Sequence, residues 1–219
     1  MRSVTTMDKK QLTKLISYFA MGDGGLYITG KYTNAKFIMN MKKENMDYVE
    51  YVKSTLSHIV NCTVYDRKDY NTDGCTRQPQ VRLESSTHPM FTIIHDRIYC
   101  VDKHKGLDLH TLKLLDWEAM AILYMSDGCA YQYGDGYVNV TLNMKRLSEA
   151  EQLVLKQTIR NTLGVEFNIN KGGKYFCLRL RNKDVNTFMD GVEPYIVNSF
   201  KYKIIRTKNS KNILDDDIV

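Results

Sequence analysis

The fold turns on A-M-A-I-L-Y-M-S-D-G-C-A-Y-Q, Ala119 to Gln132, because L-I-S-Y-F-A-M-G-D-G-G-L-Y-I, Leu15 to Ile28, follows the same plan. Each stretch is a long apolar run ending in a small residue, then Asp-Gly, then a segment bearing tyrosine. Asp23 and Asp127 stand 104 residues apart. Downstream, Asn40-Met41-Lys42 answers Asn143-Met144-Lys145, Val81-Arg82-Leu83 answers Leu178-Arg179-Leu180, and Lys103-His104-Lys105 answers Lys201-Tyr202-Lys203. Landmarks in one order at drifting offsets mark a duplicated unit with small insertions and deletions. The chain divides into repeats 1–105 and 106–219, with a linker near Lys105 to Thr111.

Each repeat carries the same elements. From Met7 to Gly22 the apolar residues Leu12, Leu15, Ile16 and Phe19 recur at spacings of three and four, which predicts a helix, with Thr5 or Thr6 as its N-cap. In the second repeat Asp116 is the N-cap, and Ala119 to Met125 is apolar on nearly every side, the pattern of a helix buried against several neighbours. Hairpins follow: Leu26 to Lys31 with Lys36 to Met41, and Ala130 to Tyr133 with Tyr137 to Asn143, turning at Gly134-Asp135-Gly136. Second helices are expected at Asp47 to Ile59 and Ser148 to Leu163, the latter opened by the capping box Ser148-Glu149-Ala150-Glu151. Second hairpins use Val64 with Val81 to Leu83, and Val165 to Ile169 with Phe176 to Leu180. Asn71 to Pro79 and Asn170 to Lys174 read as polar loops, and short helices at Pro89 to Ile94 and Val185 to Met189 close the repeats. The class is α+β: a pseudo-two-fold tandem repeat of α-β-β-α-β-β-α units, with helices on one face of a four-stranded antiparallel sheet.

Composition narrows the function classes. With 219 residues, 43% of them hydrophobic, the chain buries a real core, which excludes disorder. Lys and Arg number 31 against 25 Asp and Glu, net +6, an excess that suits an anionic partner without demanding one. Five cysteines with no C-x-x-C spacing argue against a disulfide framework and a Cys-based zinc site, and read as reduced thiols of an intracellular protein. No apolar run reaches the roughly 18 residues of a membrane span, and the N-terminus turns charged where a signal peptide turns apolar. The histidines lack metal spacing. The clusters Gly22-Asp23-Gly24-Gly25 and Gly172-Gly173-Lys174 lack the nucleotide-binding fingerprints.

A single Asp-Gly is most simply a turn, the glycine capping a helix. Aspartate is nonetheless a poor choice there, because the C-terminal end of a helix carries partial negative charge. That cost recurs at two equivalent positions. If the two apolar helices pack together, their carboxylates meet and need cations. Oxygen ligands favour Mg²⁺ or Mn²⁺, with the carbonyls of Gly22 and Ser126 as further ligands.

Ile16 to Gly24 and Met120 to Gly128 resemble the two motifs of monomeric LAGLIDADG homing endonucleases. Leu112 to Gly128 and Pro194 to Ile204 resemble signatures of one subgroup. The chain departs at the third motif position, where the usual glycine is Tyr18 or Ile122, so close helix contact is expected to rest on Ser17, Ala20 and Ala121. The resemblance implies that Asp23 and Asp127 bind the catalytic metal and that phosphodiester hydrolysis across the minor groove leaves a staggered double-strand break with 3′ overhangs. It further implies that Lys105 and Lys203 assist, with Lys103 and Lys201 as backups; lysines that merely touch the phosphate backbone are the alternative. The partner is then double-stranded DNA, bound by a monomer. Two other readings stay open: an RNA-binding maturase for a host intron, or a DNA-binding protein without cleavage.

The strand residues facing away from the core are the candidates to meet DNA in the major groove. In the first repeat these are Tyr27, Thr29, Lys31, Lys36, Asn40, Arg82 and Glu84. In the second they are Tyr131, Tyr133, Asn139, Thr141, Asn143, Arg179 and Arg181. The loops Gly30 to Ala35, Asp69 to Gln78 and Asn170 to Lys174 are expected to extend along the groove.

Overall fold

A computed structural model describes residues 7–30, 32–67, 78–99, 104–133 and 136–207. The first half runs α1 (Lys9–Met21), β1 (Gly24–Tyr27), β2 (Lys36–Lys42), α2 (Met46–Leu56), β3 (Cys62–Asp66), β4 (Gln80–Thr87) and α3 (Pro89–Ile98). A one-turn helix α4 (Leu109–Leu112) sits in the linker. The second half repeats the order as α5 (Trp117–Asp127), β5 (Gly128–Tyr133), β6 (Tyr137–Leu142), α6 (Glu149–Leu163), β7 (Phe167–Gly172), β8 (Tyr175–Leu180) and α7 (Val185–Val192). The sheet orders are β1-β2-β4-β3 and β5-β6-β8-β7, antiparallel throughout. The predicted α+β tandem repeat is therefore the observed architecture.

Local chemistry sets the helix ends. Thr5 and Thr6 lie outside the described residues; the cap of α1 is Asp8, whose Oδ1 accepts the N–H of Lys10 and Gln11 at 2.6 and 3.1 Å. Asp116 caps α5 through the N–H of Ala119, and Ser148 and Glu151 form the expected capping box on α6. The linker is more ordered than expected. Asp108 caps α4, and its buried Oδ2 accepts the Thr111 hydroxyl at 2.5 Å and the Ser17 hydroxyl at 3.2 Å, fastening the linker to α1.

Three strand expectations need correction. β1 runs Gly24–Tyr27, so Ile28 and Thr29 leave the sheet, because pairing with β2 ends at Tyr27↔Lys36. Asn170 to Lys174 is not a loop: β7 and β8 pair out to Gly172↔Tyr175 around a tight turn in which Gly173 takes φ 61°. The register also shifts the repeat alignment by two residues. Gly24, Met39, Leu83 and Val64 form one row across the first sheet; Gly128, Leu142, Leu178 and Ile169 form the matching row of the second. Leu83 thus corresponds to Leu178, and the counterpart of Arg179 is Glu84, not Arg82.

One continuous core joins the halves. Leu15 to Met21 of α1 and Ala119 to Met125 of α5 are buried on every side, since each helix packs on its own sheet and on the other helix. Where the second turn of α1 meets the start of α5, the buried Lys14 ammonium bonds to Asp116 and, at 3.3 Å, to Glu118. Their far ends touch. A Cβ at Gly22 would lie 2.3 Å from Ser126 Oγ, so glycine there permits the approach. Ser17, Ala20 and Ala121 are all buried, and the Ser17 hydroxyl also bonds the linker.

Candidate active site

The two Asp-Gly motifs meet where α1 and α5 end. The backbone N–H of Asp23 donates to Ser126 Oγ at 3.2 Å, bonding one motif to the other. Burial, and next the negative charge of Asp127, push the Asp23 carboxyl above the usual carboxylate range; Lys105, Lys203 and the Ser126 hydroxyl pull it back. Two carboxylates near enough to repel one another, on helix ends that also repel them, form a site built for cations.

Lys105 and Lys203 supply part of that charge. Lys105 Nζ donates to the carbonyls of Gly22 and Gly24, the latter at 2.7 Å. Lys203 is buried, with Nζ donating to Met125 O at 2.6 Å and Tyr124 O at 3.3 Å and lying 5.0 Å from the Phe200 ring centre. The Tyr124 hydroxyl in turn bonds Lys203 O at 2.7 Å. Burial lowers both lysines. Lys105 comes down to about 8, with Arg146 adding to the effect and Asp127 and Asp23 opposing it. For Lys203 the opposing charges are Asp23, Cys129 and Asp127.

Arg146 was not foreseen. It follows Met144-Lys145 in the turn after β6, and its guanidinium bonds Asp127 Oδ2 at 3.2 Å and the Met21 carbonyl of the opposite helix. Its repeat counterpart, Lys43, bonds Asp66 at 2.8 Å instead. Nothing in the spacing marks Arg146, because only the fold brings it to Asp127 of its own half and to the Met21 carbonyl of the other.

Among the described residues no group of three His, Cys, Asp or Glu side chains stands ready to hold a metal. Two carboxylates beside helix-end carbonyls nevertheless fit Mg²⁺ or Mn²⁺, since Mg²⁺ keeps several waters and takes one or two carboxylates plus substrate phosphate. Of the expected carbonyl ligands, Gly22 O accepts from Lys105.

The outward sheet faces hold most of the expected reading residues. In the first half Glu84 is the hub: Lys36 bonds its Oε1, while Tyr65 Oη and Arg82 Nε reach its Oε2 at 2.9 and 3.3 Å. These side chains hold the Glu84 carboxyl below its usual range, Lys36 foremost. Tyr27 and Asn40 are exposed beside them, and Thr29 lies in the loop. In the second half Tyr131 and Tyr133 are exposed, Thr141 and Arg179 face each other across β6 and β8, and Asn143 donates to Thr141 Oγ1 at 3.2 Å. Asn139 Oδ1 is buried without a partner among the described residues. Arg181 lies one residue past the end of β8, paired with Glu166 at 2.9 Å. Lys201 is exposed, and Lys31 and Lys103 lie outside the described residues.

Comparison with known proteins agrees with this fold. A probable intron-encoded endonuclease of Wickerhamomyces canadensis is 26% identical over 92% of this chain and 86% of its own. The homing endonuclease I-WcaI, solved bound to its DNA recognition sequence, superposes with a TM-score of 0.74 at 20% identity, over 93% of this chain and 89% of that one. I-DmoI, solved with DNA and Mn, gives 0.54 at 15% identity over 83% and 97%. The model of the LAGLIDADG DNA endonuclease family matches residues 19–188, and with that span the chain belongs to this family.

Proposed function

We propose that the protein is a divalent-metal-dependent homing endonuclease that cuts both strands of a DNA site across the minor groove, leaving 3′ overhangs. The observation that carries this reading is the meeting of Asp23 and Asp127 at bonded helix ends, with Lys105, Lys203 and Arg146 around them. Asp23 and Asp127 would hold Mg²⁺ or Mn²⁺, which when bound supplies an activated water and polarises the scissile phosphate. The chain's own residues do the rest. The sheet faces set the register on the duplex. Lys105 and Lys203, held on helix-end carbonyls, turn toward phosphate oxygens and offset the charge that develops there. Arg146 keeps the Asp127 carboxylate in place through a charge-assisted bond.

The test is incubation of the purified protein with plasmid DNA spanning its insertion site, with Mg²⁺ or with EDTA, beside Asp127→Asn. Metal-dependent linearisation lost in the variant is expected. Cleavage indifferent to both metal and variant would overturn the mechanism, and tight binding of intron RNA alone would favour a maturase.

A further inference from the structure

Each lysine of the site rides on a segment fastened to the other half of the molecule. Ser199, four residues before Lys203, donates its N–H at 2.8 Å to Oδ2 of Asp47, in the first turn of α2. Leu107, two residues after Lys105, donates its N–H at 3.2 Å to Oε1 of Glu151, in the first turn of α6. Asp47 and Glu151 stand in the first turns of corresponding helices, one residue apart in the alignment that pairs Lys43 with Arg146. Each half thus makes such a fastening from the first turn of its second helix, and makes it crosswise.

Both carboxylates divide their oxygens alike. Asp47 Oδ1 accepts from Tyr48 N in its own helix, and Oδ2 serves the opposite half. Glu151 Oε2 accepts from Ser148 N at 2.9 Å, and Oε1 serves Leu107. Packing reinforces each clamp. Phe200 meets Tyr48 edge-on at 5.4 Å, and the same Phe200 ring lies beside Lys203 Nζ. A Cβ on Gly106 would come 2.7 Å from Glu151 Oε1, so glycine lets this strap pass close to its clamp.

We propose that Asp47 and Glu151 are reciprocal positioning residues, each half clamping the strap that delivers the other half's lysine, so that each strand's cut is completed from the opposite half. This rests on the reading that Lys105 and Lys203 act at the scissile phosphates. Because a small misplacement of a positioned group costs rate steeply, losing one clamp slows one cut and spares the other. A purely structural role would slow both alike.

The experiment uses the full chain, Mg²⁺, and a target duplex with the two strands labelled differently, so that each strand's cleavage rate is read separately. Asp47→Ala is expected to slow one strand by about tenfold or more and to accumulate nicked product. Glu151→Ala is expected to slow the opposite strand, with DNA affinity in EDTA within about twofold of wild type for both. Asp47→Asn and Glu151→Gln keep an acceptor oxygen without its charge, so each retains its bias at roughly two- to threefold, which keeps the test decisive if an alanine variant does not fold. Equal slowing of both strands, the same strand slowed in both variants, or no bias would overturn the proposal. A wild-type protein that cuts neither strand would overturn the functional reading itself, which distinguishes the two failures.

Discussion

The two sheets share a topology and differ at their centres. In the first, β2 and β4 pair from Lys42↔Gln80 to Lys36↔Thr87, interrupted by one bulge; in the second, β6 and β8 pair only at Thr141↔Arg179 and Leu142↔Leu178. At the equivalent central position the first sheet carries Glu84, saturated by Lys36, Arg82 and Tyr65. The second carries Arg179, which forms no ion pair with the described residues. One surface ties two cations to its own carboxylate, and the other has a guanidinium with no such carboxylate among the described residues. Identical halves would present identical faces; this Glu-for-Arg exchange gives the two faces different chemistry, so under the proposed function the halves would meet different base pairs.

The largest way to break the comparison is at the motif acids, where the halves are alike. Asp23→Asn and Asp127→Asn are each expected to cost about a hundredfold or more in cleavage rate, read as the rate of linear product formation, with DNA still bound in EDTA. An intact rate in either variant would remove that acid from the chemistry. Arg146→Ala should follow, slowing cleavage by about tenfold, whereas Lys43→Ala should leave the rate unchanged, because Lys43 pairs away from the site. Equal effects would erase the asymmetry between the halves.

On the sheets, Arg179→Ala should relax preference at one base pair by about 1 to 3 kcal/mol if the guanidinium reads a guanine, measured by binding to a panel of single-base variants. Glu84→Gln should act more weakly, since Lys36 and Arg82 gain freedom instead of losing a contact. The smallest effect is on pH. Lys105, lowered to about 8, loses its charge as pH rises through that value, so kcat/KM should fall on the alkaline side. Lys105→Arg, always charged, should remove that inflection.

Much of this was legible in the chain. Paired apolar runs ending in Asp-Gly gave the helices and the acids, and alternation in Val138, Val140 and Leu142 gave a strand whose inner face is buried. The misreadings came where local pattern is silent. Asp8 replaced the expected threonine caps because several residues near a helix start can cap it, and Gly173 allowed a turn where polar composition suggested a loop. The two-residue alignment error arose because Arg82 and Arg179 both sit between apolar neighbours; only hydrogen-bond register tells Glu84 from Arg82. Arg146, Asp47 and Glu151 act across the interface, and no spacing along one repeat encodes a contact with the other.

Lys14 and Glu118 occupy the same place in the two repeats, 104 residues apart, and they face each other where the second turn of α1 meets the first turn of α5. A two-fold assembly of identical subunits would meet itself there as ammonium against ammonium or carboxylate against carboxylate, buried and unrelieved. Opposite charges at one equivalent position require copies that differ in sequence, as these two do. The pair therefore holds each half to the other, because a half set against its own twin would bring like charges together at this crossing.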